Sequence, residues 1–360
     1  MNTQLLDKFQ GCIFGGAVGD ALGYQIEFKR NIRERQVTDF KEKPGVVSDD
    51  TQMTLFTANG LLWQKTNAIL GRTTLTPAHG VYEAYLDWFD TQEGFPNHKS
   101  ISWIKDIPEL NKMRAPGNTC LRSLQSRTMG TIEERINDSK GCGSVMRIAP
   151  CALMAQSAQE AARLASACGA ITHGHTLALY PCYVCAYMIY SITFENMSLR
   201  TALDEAIGAL KAEKHLFGDK PMYFRSSHLA PFVELIEKAI KLSKQKMSDT
   251  RAIRMLGEGW VAEEAFAIAL YACLKYPDNF QDAIVAAINH DGDSDSTGAI
   301  AGNIMGALLG MQQIPAYELE LTPIMLELVE DMYKSRTLTT DNSLYNDAYW
   351  LKKYRDCNIS

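Results

Sequence analysis

The chain lacks an excess of positive charge. Its 360 residues sum to a formal net charge of −6, which excludes a general binder of nucleic acid or of anionic membranes. It also lacks a disulfide framework. The nine cysteines are odd in number and scattered at 12, 120, 142, 151, 168, 182, 185, 273 and 357, a pattern that predicts reduced, mostly buried thiols and a cytoplasmic protein. The close pair Cys182 and Cys185 sits in an aromatic, apolar run with no second pair elsewhere, so it reads as buried helix rather than a redox or zinc motif. The first ten residues contain Asp7 and Lys8 and lack a signal-peptide pattern. Two long uncharged runs, Gly174 to Phe194 and Ser296 to Tyr317, are interrupted by Pro181 in the first and by Asn303, Gln312, Gln313 and Pro315 in the second. Both read as core helices and not as membrane spans.

Alternating strand patterns are scarce, and helical periodicity fills the space they leave. Ala158 to Ala170, Leu199 to Glu213 and Val261 to Leu274 are alanine-rich. Leu229 to Lys246 carries apolar residues at 232, 233, 235, 236, 239, 240 and 242, one stripe of a helix. The expectation is an all-α fold, one compact helical domain over residues 1–360, with a loosely structured insertion from Phe95 to Pro116. Gly11, Gly15, Gly19 and Gly23 recur every fourth residue, as do Gly298, Gly302, Gly306 and Gly310. An i+4 stripe lies on one helix face. Each interior glycine costs about 1 kcal/mol relative to alanine, and close approach of two backbones supplies the compensation. These two helices are therefore expected at the centre, against each other, with Asp20 and Glu27 near Asp293 and Asp295.

The chemistry-bearing residues are two acidic clusters about 240 residues apart by sequence count. Ser48, Asp49, Asp50 and Thr51 open one helical stretch; Asp291, Asp293, Asp295, Ser296 and Thr297 open another. One cluster alone is accounted for by helix capping. Two together, rich in carboxylates that repel unless a cation neutralises them, point to a single site for hard cations, Mg²⁺ or Mn²⁺. An EF-hand starting at Asp291 is excluded, because its required Gly falls on Ser296 and its Glu on Gly302.

Seven segments then follow in order: G-A-V-G-D-A-L-G-Y-Q-I-E-F (16–28), S-D-D-T-Q-M-T-L (48–55), R-A-P-G-N-T (114–119), G-C-G-S-V-M-R-I-A-P (141–150), I-T-H-G-H (171–175), G-E-G-W-V-A-E-E-A (257–265) and G-D-S-D-S-T-G-A-I-A-G (292–302). Through them the chain resembles, over roughly residues 10–315, the ADP-ribosylglycohydrolase family, the enzymes related to dinitrogenase reductase-activating glycohydrolase. The residues from 316 to 360 are expected to add C-terminal helices. The resemblance implies an all-helical protein with two Mg²⁺ ions in a cleft. It places metal ligands at Ser48, Asp49, Asp50, Asp293, Asp295 and Ser296, with Asp291 orienting them from behind. It places Glu27 beside the metals, and Glu27, Asp49 and Asp50 are the candidate catalytic groups. Asn118, Thr119, Gly141, Gly143 and Ser144 are the candidate diphosphate loops, His173 the residue toward adenosine, and Trp260 either lies against the ligand or fills core.

The implied activity is removal of ADP-ribose from a modified protein side chain, with arginine the first choice of linkage. Asp87 and Asp90 read either as partners for a guanidinium or as a solvated helix face. Two other readings stay open. One is an antagonist that binds an ADP-ribosyltransferase toxin directly, and the other a metal-dependent hydrolase of another small nucleotide conjugate.

Overall fold

The computed structural model describes residues 3–94, 99–213 and 226–357. Fifteen α-helices form among them. The first eight are α1 (Thr3–Tyr24), α2 (Asp49–Ile69), α3 (Pro77–Glu93), α4 (Asn118–Gln125), α5 (Ala149–Met154), α6 (Ala158–Ala170), α7 (Thr176–Phe194) and α8 (Leu199–Ala212). The rest are α9 (Ser226–Ser243), α10 (Asp249–Leu256), α11 (Ala262–Lys275), α12 (Phe280–Ile288), α13 (Ser294–Leu309), α14 (Thr322–Ser335) and α15 (Ala348–Tyr354). No strand forms among the described residues; two isolated bridges pair Gly45 with Leu319 and Gly141 with Val261. The alanine-rich segments are α6, α8 and α11, and the apolar stripe is α9, which begins three residues before the predicted start. The all-α expectation holds.

The glycine stripes pack as a seam between α1 and α13. A Cβ on Gly11 would meet Gly306 O at 2.4 Å, on Gly15 Gly302 O at 2.6 Å, on Gly19 Gly298 O at 2.0 Å and on Gly23 Ser294 O at 2.1 Å. Rising numbers on one helix meet falling numbers on the other, so the pair is antiparallel. Asn303 donates to Cys12 O across it at 2.8 Å. Ser294 Oγ donates to Gly23 O at 3.1 Å, where α1 ends and α13 begins. The seam thus delivers the end of α1 to the start of α13, which is where the acidic residues are.

Around the seam the first long uncharged run is core as α7, and the second is unbroken core only as far as Ala307 of α13, with Gln312, Gln313, Pro315 and Ala316 exposed beyond it. Helix α7 is long and apolar enough to cross a membrane, yet 83% of its most apolar window is buried inside the protein. Cys182 and Cys185 are both buried there. At the other end of α2, α15 docks through Trp350, whose Nε1 donates to Thr66 Oγ1 at 3.1 Å, and through Tyr354 O, which accepts from Asn67 at 2.7 Å.

The expected loose insertion is corrected. Residues 95–98 lie outside the described residues, but from 99 onward the segment makes two short 3₁₀ turns, Trp103–Asp106 and Pro108–Asn111. Ile101, Trp103, Ile104 and Leu110 are buried. Pro108 and Pro116 interrupt any longer helix, but the apolar side chains between them still have core to fill.

Candidate metal centre and active site

Three helix ends build the site. Helix α2 starts with Ser48 as N-cap, its Oγ accepting from Asp50 N at 3.2 Å. Asp49 and Asp50 occupy the first turn, where the positive end of the helix dipole favours carboxylates. Asp20, buried on α1, accepts from Ser48 N at 3.0 Å and from Thr51 N at 3.1 Å, and so orients that turn. Helix α13 starts with Asp293 as N-cap, and Asp295 follows in its first turn. Glu27 comes just beyond the end of α1. Glu27, Asp293 and Asp295 each offer a buried carboxylate oxygen, and these three atoms lie within 4.8 Å of one another. With Asp49, Asp50 and Ser296 they line one cleft of about 300 Å³. Residues from both ends of the chain therefore meet.

The electrostatics of this cleft are unbalanced. Among the described residues lining it, none is Lys or Arg. Glu27 Oε2 and Asp50 Oδ1 are buried without a hydrogen-bond partner, a costly arrangement for groups that ionise. Burial, then the charge of Asp295 and Asp293, pushes the Glu27 carboxyl up to about 10. Burial and Asp295 push Asp20 up to about 7, and raise Asp49, Asp50 and Asp293 well above the usual carboxylate range. A divalent cation removes this conflict, and the carboxylate and hydroxyl donors are the kind hard cations take. The residues fit a metal site.

Asn118, Thr119, Gly141, Gly143, His173 and Trp260 line the remainder of the cleft. A Cβ on Gly141 would stand 3.1 Å from His173 Nε2, and one on Gly143 3.2 Å from His173 Cε1, so this loop packs directly on the imidazole. Burial and the Arg147 charge lower His173 to about 3, which keeps it neutral, with Nδ1 paired to Thr172 Oγ1 at 2.8 Å. At the rim Trp260, 37% exposed, stacks on Phe28, 70% exposed, with ring centroids 6.3 Å apart. Trp260 Nε1 donates to Glu258 at 3.2 Å.

Ser48 is buried beside the site, its hydroxyl accepting from Asp50 N and 3.4 Å from Asp50 Oδ2. Several residues stand elsewhere. Ser144 turns into the core, donating to Gly141 O at 3.1 Å and Ala178 O at 3.0 Å. Asp291 accepts from Ile32 N at 2.7 Å and so anchors the loop that follows Glu27 rather than a carboxylate ligand. Asp87 and Asp90 are corrected most fully. Both are buried; Asp87 accepts from Ile101 N and Ser102 N, Lys105 bridges both carboxylates, and Arg127 meets Asp90 at 2.9 Å. They are neither solvated nor open to a substrate guanidinium. Sequence reasoning missed Phe28 and Cys120 as cleft residues, and had Cys142 only as part of the ligand loop 141–144. The signal for Phe28 was its place beside Glu27, and for Cys142 its place between two glycines of a ligand loop.

Fold and site together define a helical protein with an acidic cleft of cation-binding type. The chain belongs to the ADP-ribosylglycohydrolase family, whose sequence profile, ADP-ribosylglycohydrolase, matches residues 1–342. It is similar to the ADP-ribosylarginine hydrolase Tri1 of Pseudomonas putida, 26% identical over 327 residues, which span 87% of this chain and 73% of that protein. It is likewise similar to the ADP-ribosylhydrolase ARH3 of Bos taurus, 23% identical over 334 residues, 86% of this chain and 87% of the other. A solved structure titled "ADP-ribosylglycohydrolase-related protein complex" superposes with a TM-score of 0.63 at 25% identity, covering 93% of this chain and all (100%) of that one.

Proposed function

We propose that this chain is a single-domain, cytoplasmic, Mg²⁺-dependent hydrolase that releases ADP-ribose from modified arginine side chains of a protein, reversing an ADP-ribosyltransferase. The observation that carries the reading is the buried trio Glu27, Asp293 and Asp295, their oxygens within 4.8 Å of one another at a cleft with no Lys or Arg among the described residues that line it. Ser48, Asp49, Asp50, Asp293, Asp295 and Ser296 are the groups to hold two divalent ions, Mg²⁺ first and Mn²⁺ as substitute. When bound, the ions supply the positive charge that grips ribose hydroxyls and orients a water.

The chain's own groups do the rest. Cleavage at an anomeric carbon passes through an oxocarbenium-like state, and needs a carboxylate to take a proton from the attacking water. Glu27, its Oε2 unpartnered and facing the other acids, is the group for that step. Asp20 acts at one remove, by fixing the turn that carries Asp49 and Asp50. The helix start at Asn118 and Gly143 of the glycine loop present backbone N–H groups to a diphosphate, while Gly141 N and Cys142 N hold the loop in place on Ser139 Oγ and Trp260 O. The arginine linkage is supported by the relative named for it; at the rim Glu258 already meets a guanidinium, that of Arg30 at 3.5 Å, in an exposed pair that a substrate guanidinium would have to displace.

The test is release of free ADP-ribose, measured side by side from arginine-linked and serine-linked protein with Mg²⁺. Faster release from arginine supports the reading. Equal rates, or a preference for serine, remove the linkage claim. No release from either, in protein shown to bind metal, favours the transferase-antagonist alternative.

A further inference from the structure

Cys142 is an element of the cleft that hard-cation chemistry does not require. Its Sγ lies 2.6 Å from Asp293 Oδ2, and it lines the same cleft as Glu27, Asp50 and Asp295. Seven of the other cysteines are buried, whereas Cys142 is only half-buried. The loop that carries it is fixed on both sides. Cys142 N donates to Trp260 O at 3.3 Å and Ala262 N to Lys140 O at 2.8 Å, while Gly141 and Gly143 pack on His173. The thiol is thus set in place by backbone. A second, independent feature faces the same space: Glu27 and Asp50, each more than nine-tenths buried, present carboxylate oxygens with no partner.

Sulfur is a soft donor and carboxylate a hard one. A mixed set suits Zn²⁺ or Cd²⁺, which accept thiolate, while Mg²⁺ takes oxygen alone. We infer that Cys142 makes this cleft a binding site for a thiophilic divalent cation, held between Cys142 Sγ and the Asp293 carboxylate in competition with the hard cation. The metal–sulfur bond forms as the thiol proton passes to solvent. The inference rests on the reading of the acidic cleft as a divalent-cation site. Its consequence is a hydrolase that thiophilic metals inhibit by displacement.

Metal-free full-length protein titrated with Cd²⁺ tests this through the thiolate-to-cadmium charge-transfer band in the ultraviolet. The expected result is a band that saturates at about one equivalent per chain and is driven out by excess Mg²⁺. Cys142→Ser and Cys142→Asn should both abolish it, Asp293→Ala should weaken the cadmium affinity at least about tenfold, and Cys357→Ser, at the other half-buried cysteine, should keep it. No band in the wild type, or a band surviving both Cys142 variants, overturns the inference. The underlying reading is checked separately by the rise in Tm with Mg²⁺. If that rise is present and the cadmium band absent, only the role of the thiol fails. If Mg²⁺ gives no rise, the cation reading fails, and the cadmium titration still decides the role of Cys142.

Discussion

Asp20 on α1 accepts two hydrogen bonds from Thr51 on α2, from the backbone N–H at 3.1 Å and from the hydroxyl at 2.5 Å. Its other contact is Ser48 N, so one buried carboxylate orients the turn that presents Asp49 and Asp50. Asp20→Ala leaves these donors without a partner, at about 1–3 kcal/mol for each buried group. The expected outcome is a turnover reduced about 10–100-fold and a smaller rise in Tm with Mg²⁺. Turnover and metal response equal to wild type would detach Asp20 from the site.

The same residue gives a pH dependence of defined sign. Burial and the Asp295 charge raise the Asp20 carboxyl from 3.8 to about 7. A raised carboxyl contributes stability that is fully present below its unfolded value and lost as pH rises through its folded value. In EDTA, the Tm of wild type relative to Asp20→Asn should therefore fall as pH rises from about 4 to about 7. Saturating Mg²⁺ should flatten the difference. A difference that rises with pH in EDTA would reverse the assigned sign.

The seam between α1 and α13 tolerates no side chain. A Cβ on Gly302 would stand 2.0 Å from Gly15 O, which is backbone and has nowhere to move. Gly302→Leu should destabilise by about 3 kcal/mol or more, the upper range for forced insertions. Gly208 on α8 has nothing within 4 Å of an added Cβ, so Gly208→Ala should stabilise by roughly 0.5–1 kcal/mol. Denaturant melts of both variants check the pair; equal effects would remove the close-packing account.

This seam was the most legible part of the sequence, because glycine at i+4 has few structural uses and two such stripes imply each other. Both acidic clusters were legible for a similar reason, since capping uses one side chain and each cluster carries more. Asp87 and Asp90 were not. An i, i+3 acidic pair reads the same whether it faces water or is buried on Lys105 and Arg127, and nothing in the local pattern names partners 15 to 37 residues away. Ser144 was misread because a hydroxyl in a glycine loop points to ligand or core according to one backbone turn. The 99–116 segment hid its order because its buried residues have no helical or strand period.

At the rim, the Phe28–Trp260 pair should act in binding rather than in chemistry. An exposed aromatic stack at the mouth of a cleft suits a flat ring or the stem of an arginine, worth about 1–3 kcal/mol per stacked base. Phe28→Ala and Trp260→Ala should each raise KM about tenfold with kcat nearly unchanged. A fall in kcat at unchanged KM would move the pair from binding to the reacting centre.

The most direct measurement is the rate of ADP-ribose release from arginine-ADP-ribosylated protein by wild type, Asp49→Ala and the Asp293→Ala, Asp295→Ala double variant, each with Mg²⁺ and with EDTA. The expected result is release by wild type with Mg²⁺ alone. Asp49→Ala should be slower by at least about 10²-fold, because a lost ligand misplaces both sugar and water. The double variant should show no release and no rise in Tm with Mg²⁺. Release that persists in EDTA, or a double variant that keeps its activity and its metal response, would contradict a cation-dependent centre built on these carboxylates.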